Sequence, residues 1–168
     1  MMKKMMFSLI LACAASVYAA PNLPAEVRKE LAEAEQMCRE YENGKLDFSK
    51  GVSIVDLNND GISDYIVDYN GLYCDTAASL FAGNSGAVYF IYTGLPNGKA
   101  RLAYTGSSYE LRLDRRGATA RLYEATSGGA CGQDMRHVTT AELEGCLREL
   151  KWNAAKQRFD LGKKIIKL

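Results

Sequence analysis

Residues 52–68 read Val52-Ser53-Ile54-Val55-Asp56-Leu57-Asn58-Asn59-Asp60-Gly61-Ile62-Ser63-Asp64-Tyr65-Ile66-Val67-Asp68. Two runs rich in β-branched and aromatic residues, 52–56 and 65–69, bracket a polar loop, so the segment predicts two strands joined as a hairpin. Side-chain oxygens stand at loop positions one, three, five and nine (Asp56, Asn58, Asp60 and Asp64), and Gly61 at position six permits a sharp turn. The carbonyl of Ile62 falls between Asp60 and Asp64 and supplies a fifth oxygen. This all-oxygen set suits a hard cation, and the expected ion is Ca²⁺, with water or bidentate binding completing the shell. A helix-flanked calcium loop carries glutamate at position twelve; that position is Val67 here, and both flanks are strand-like. Asn-Asp-Gly is also an ordinary metal-free turn. Acidic side chains at such spacing, however, repel one another unless a cation joins them. Leu57 and Ile62 are expected to anchor the loop to the core, and Asp68 is a candidate auxiliary oxygen from the following strand.

Upstream, residues 24–41 predict one amphipathic helix. Val27, Leu31, Ala34, Cys38 and Tyr41 recur at helical spacing among charged positions. Pro24 suits the start and Asn43-Gly44 the stop. Downstream, β segments are expected at 87–92 and 100–104 around Pro96-Asn97-Gly98. Further pairs are expected at 109–114 and 118–124 around Arg115-Arg116-Gly117, and at 147–153 and 157–161 as a last hairpin. Residues 77–86 read as a loop and 139–144 as a helical turn with a capped start. The fold class is α+β: an N-terminal amphipathic helix, stapled by a disulfide to a small antiparallel β-meander.

The first residues read as an export signal. Lys3 and Lys4 form a basic region, 7–15 an apolar run too short to span a bilayer, and Val17-Tyr18-Ala19 a cleavage site. Residues 1–19 are therefore expected to be a signal peptide and 20–168 a single domain, periplasmic or secreted, with no transmembrane segment. Leu9-Ile10-Leu11-Ala12-Cys13 supports a second reading of the leader, a lipobox with a lipid anchor at Cys13. Four cysteines remain, Cys38, Cys74, Cys131 and Cys146, and behind an export signal an even count implies disulfides. Of the three pairings, the short polar segment between Cys131 and Cys146 favours closing that pair, which leaves Cys38 with Cys74. With no Cys-x-x-Cys pair and one histidine, the chain does not read as a zinc site. The chain has 21 Lys and Arg against 20 Asp and Glu. Residues 26–75 hold 12 acids and 5 bases, whereas 99–168 hold 14 bases and 8 acids. An exported chain so near neutrality is not expected to bind nucleic acid.

The stretch from Asp56 to Asp64, followed by Tyr65-Ile66-Val67, resembles the calcium-binding loops of FG-GAP and integrin-type propeller repeats. In those loops the first, third, fifth and ninth residues ligate the ion between two strands. The resemblance implies Asp56, Asn58, Asp60, Asp64 and the Ile62 carbonyl as ligands, and one copy cannot build a propeller. In order along most of the chain, a helix with a cysteine, this loop running into Asp64-Tyr65-Ile66-Val67-Asp68, Cys74, Cys131-Gly132, Cys146 and Leu150-Lys151-Trp152 also resemble small exported proteins of Gram-negative bacteria that carry no assigned activity. Members of that group have further cysteines near residues 81–86, which this chain lacks.

Other residues offer weaker chemistry. His137, the single histidine, stands near Asp134 and Ser127, but a nucleophilic triad requires a spatial arrangement that spacing does not supply. Tyr65, Tyr69, Tyr73, Tyr89, Tyr92, Tyr104, Tyr109 and Tyr123 fall in or beside β segments; half-buried sheet positions are the plain reading, and an exposed row would suit a protein or glycan partner. Arg112, Arg115, Arg116 and Arg121 crowd one hairpin. Thr105-Gly106-Ser107-Ser108-Tyr109 loosely resembles the Ser-Gly-x-x-Tyr loop of periplasmic lysozyme inhibitors, although its composition also suits a turn. The expectation is a calcium-stabilised binding or structural module without catalysis; the alternative is a periplasmic inhibitor of a lysozyme-like hydrolase.

Overall fold

Helix α1 spans Ala25–Glu40 and buries Val27, Leu31, Ala34 and Cys38 along one stripe. A computed structural model describes residues 22–168. The expected signal peptide and Cys13 lie outside the described residues. Pro24 precedes the helix, and its carbonyl accepts the first helical hydrogen bond from the Arg28 amide at 3.0 Å. The helix ends before Tyr41, which turns to extended backbone and is 53% exposed. Tyr41 therefore leaves the apolar face that its spacing placed it on. Glu42 and Asn43 then take left-handed φ of 53° and 58°. Gly44 follows in close quarters: a Cβ there would stand 2.7 Å from Cys74 Sγ and 2.8 Å from the Cys38 carbonyl.

The strands are β1 (Leu46–Asp47), β2 (Val52–Val55), β3 (Asp64–Asp68), β4 (Tyr73–Cys74), β5 (Ala87–Gly94), β6 (Ala100–Ser108), β7 (Glu110–Asp114), β8 (Arg121–Ser127), β9 (Gly145–Asn153) and β10 (Arg158–Lys167). Every strand pairing is antiparallel. The α+β class stands, but the strands divide into two four-stranded sheets, β2-β3-β5-β6 and β10-β9-β8-β7, plus the small pair β1-β4. One small meander was expected. Which sheet a strand joins is decided by pairing with strands distant in sequence, and a strand's own pattern carries no mark of it. Tyr109 alone separates β6 from β7, and there the chain passes from the first sheet to the second.

These elements stack as helix, sheet, sheet. The helix-side core holds Val27, Leu31 and Ala34 of α1 against Val67, Tyr92 and Ala100. The opposite face of the same sheet contributes Ile66, Tyr89, Ile91 and Ala103 to a second core, shared with Leu122, Leu150 and Phe159. Period-two alternation along β3 and β5 feeds both cores at once. A bulge between Ile91 and Tyr92 shifts the β5–β6 register. Between the sheets, the Tyr89 hydroxyl donates to the buried Glu124. On the helix side, Tyr69 and Tyr92 both donate to Glu30, at 2.7 and 2.9 Å, joining α1 to the sheet. The disulfides are Cys38–Cys74, which ties the end of α1 to β4, and Cys131–Cys146. No described helix is long and apolar enough to cross a membrane.

Candidate metal site

The loop between β2 and β3 is held by its own side chains. Asp56 Oδ1 accepts from the amides of Asn59 (2.7 Å) and Asp60 (3.3 Å), and its Oδ2 accepts from Gly61 (2.9 Å). Asn58 Oδ1 accepts from the Asp60 amide at 3.0 Å, while its Nδ2 donates to Asp60 Oδ2 at 2.9 Å. Asp60 Oδ1 accepts from Ile62 at 2.8 Å. Asn59 and Gly61 turn the chain with φ of 61° and 82°; nothing lies within 4 Å of a Cβ built on Gly61, so backbone conformation rather than space selects glycine there.

Asp64 differs from the other three. It is fully buried, its Oδ2 accepts from the Leu57 amide at 2.8 Å, and its Oδ1 accepts from the Gly94 amide at 3.0 Å. Burial pushes its carboxyl up to about 6, against the pull of the two amides, and the neighbouring charges of Asp60 and Asp56 push it further the same way. Among the described residues, no lysine, arginine or histidine forms an ion pair with Asp56, Asp60 or Asp64. Leu57 is buried in the core between the sheets, and the Ile62 side chain lies against Gly94, so both apolar loop residues act as anchors.

Gly94 was not legible as part of this site. It ends β5, and a Cβ on it would stand 2.2 Å from the Ser63 carbonyl and 2.8 Å from Ile62 Cγ2. A glycine closing an apolar strand was the available signal; its partner across the sheet was not. Asp68, the candidate auxiliary oxygen, sits at the far end of β3 and accepts from the Asn70 amide at 3.0 Å, away from the loop. The Cys38–Cys74 bond joins the C-terminal end of α1, whereas Glu26 near the start of α1 accepts from the Ala100 amide at 3.1 Å, close to the Gly94 end of the sheet. Loop and disulfide therefore brace opposite ends of the sheet.

The donor chemistry suits a hard cation: three carboxylates and an amide oxygen, with every hydrogen-bonded oxygen except the doubly bonded Asp56 Oδ1 keeping a second lone pair. The three carboxylates do not converge on one point. The cluster of three acidic, cysteine or histidine ligand atoms found within 4.8 Å of one another among the described residues is Cys38, Cys74 and Asp75, not the loop. Both of those cysteines are spent in a disulfide and offer no thiolate. Calcium–oxygen distances of about 2.3–2.6 Å put opposed ligands about 5 Å apart at most, so an ion bound there would have to draw the loop's carboxylates together.

The remaining candidates disperse. Ser127 Oγ meets the Tyr109 hydroxyl at 3.1 Å, Asp134 pairs with Arg136, and His137 is exposed. Arg112 pairs with Glu110, Arg116 with Asp114 and Arg121 with Glu149, and Arg115 reaches the Ile54 carbonyl at 3.5 Å. Residues 105–108 are not a projecting turn: they belong to β6 and pair with Phe90, Tyr89, Val88 and Ala87. Tyr69, Tyr89 and Tyr92 are buried, and Tyr73 and Tyr109 are about half exposed, at 49% and 46%. Comparison with family models, with curated proteins and with solved structures finds no match to the chain.

Proposed function

We propose that this is an exported, calcium-stabilised binding or structural module without catalysis, in which Asp56, Asn58, Asp60, Asp64 and the Ile62 carbonyl hold the ion. The observation that carries the reading is Asp64: a carboxylate at full burial, beside two further acids and facing no basic side chain. A buried charge of this kind is costly unless a cation compensates it. Bound there, calcium supplies the missing positive charge. The chain supplies the rest: Leu57 and Gly94 amides orient Asp64, Asp56 folds the loop around its own amides, and the Leu57 side chain ties the loop to the inter-sheet core. The two disulfides and the leader support a periplasmic or secreted setting, where a weak site still fills.

Thermal melts in calcium and in chelator test the reading. At about one hundred times its dissociation constant, calcium should add about 2.7 kcal/mol to stability. Asp60→Ala should abolish that increment. A melting temperature that ignores both calcium and Asp60→Ala sinks the metal site.

A further inference from the structure

Strand β10 is the outermost strand of the second sheet; among the described residues it pairs with β9 on one side and with no strand on the other. Its end, with the residue after it, reads Lys163-Lys164-Ile165-Ile166-Lys167-Leu168, and all six are exposed, Ile165, Ile166 and Leu168 to 39%, 38% and 65%. Lys167 reaches Glu144, while Lys163 and Lys164 form no ion pair among the described residues. The Leu168 amide donates inward to the Gly145 carbonyl. Backbone groups alternate along an antiparallel strand, so the amides of Ile165 and Lys167 turn outward, unpaired. This edge thus offers main-chain hydrogen bonds, apolar side chains and positive charge together.

We infer that the β10 edge is a docking site for an acidic, extended polypeptide segment that adds to the sheet as a fifth strand. Strand addition draws affinity from the main chain and specificity from alternate side chains. Lysines on an edge are a familiar guard against self-pairing, and here they do that too: a second copy would set Lys163, Lys164 and Lys167 against the same lysines. The guard is selective by sign. It repels a basic strand and attracts an acidic one, so the charge that blocks aggregation chooses the partner. Apolar residues alternating with acids would cover Ile165 while the carboxylates on the other face met Lys164, or cover Ile166 while they met Lys163 and Lys167. The inference does not depend on whether the β2–β3 loop holds calcium.

The test uses the purified disulfide-bonded protein and a labelled, capped decapeptide alternating glutamate and valine, with binding read by fluorescence anisotropy. The peptide should bind, and methylation of alternate backbone nitrogens, which keeps its charge, should weaken it at least about tenfold by removing hydrogen-bond donors. Lys163→Glu combined with Lys164→Glu should weaken the unmodified peptide to a similar degree. Equal binding of the methylated peptide reduces the effect to bulk charge and overturns the proposal. So do the absence of binding, an unaffected double variant that folds by circular dichroism, and a dimer in sedimentation that the peptide does not displace. Tight association with phosphatidylglycerol vesicles that excess peptide leaves intact assigns the edge to a lipid surface instead. Should the double variant not fold, the methylated-peptide comparison on the unaltered protein decides.

Discussion

Asparagine at position 64 would present one acceptor where two backbone amides converge, those of Leu57 and Gly94. Asp64→Asn should therefore destabilise the protein by about 1–3 kcal/mol even in chelator, measured as a denaturant midpoint. Asp60 is exposed and bonds only within its loop. In chelator Asp60→Ala should change stability by no more than about 0.5 kcal/mol, so the two variants separate the scaffold role from the ion-binding role. Gly94→Ala tests the close approach: the new methyl meets the Ser63 backbone carbonyl, which cannot rotate away, and should cost about 1–3 kcal/mol. The acids and Gly61 were readable because they are local. Gly94, and Glu30 beneath Tyr69 and Tyr92, were not, because each partner arrives from an element many residues away.

At the scale of elements, α1 is held twice. Glu30 receives two tyrosine hydroxyls from the sheet, and Cys38 is bonded across 36 residues to Cys74. The chain-entropy model assigns a loop of that size about 4 kcal/mol and the 15-residue Cys131–Cys146 loop about 3 kcal/mol. Replacing Cys38 and Cys74 together by serine should accordingly lower the melting temperature more than replacing Cys131 and Cys146. Leu31→Ala, at a buried position of the helix stripe, should cost about 2–5 kcal/mol. The helix and both cysteine pairs were legible, since helical spacing and export chemistry are written in sequence. Strand ends were less so. β6 continues through Gly106 because the Tyr89 hydroxyl and ring lie under that glycine, where a Cβ would come within 2.5 Å of the hydroxyl. β10 continues through its lysines because the edge position leaves them in water.

For the molecule as a whole, buried phenols set an alkaline limit. Burial, then the hydrogen bond to Glu30, raises the ionisation of Tyr69 and Tyr92; burial, then Glu124, raises that of Tyr89. A group raised in the folded state contributes stability that is complete below its unfolded value and lost as pH rises toward the folded one. For tyrosine the loss begins near about pH 10. An alkaline titration followed by phenolate absorbance and circular dichroism checks this. The signal of Tyr69, Tyr89 and Tyr92 should arrive together with loss of the native circular dichroism. Reversible ionisation of these three in a still-folded protein would contradict their burial.

The layer order also follows the direction of the chain. Among the described residues, every buried residue of the helix-side core lies between Leu23 and Ala100, whereas the second core needs Leu122, Leu150 and Phe159 as well. A polypeptide delivered N-terminus first can close its helix layer and form the Cys38–Cys74 bond before the second sheet has emerged. Until then Ile66, Tyr89, Ile91 and Ala103 present a bare apolar face. The interval between Ser108 and Phe159 is the period in which the nascent chain is most in need of shelter.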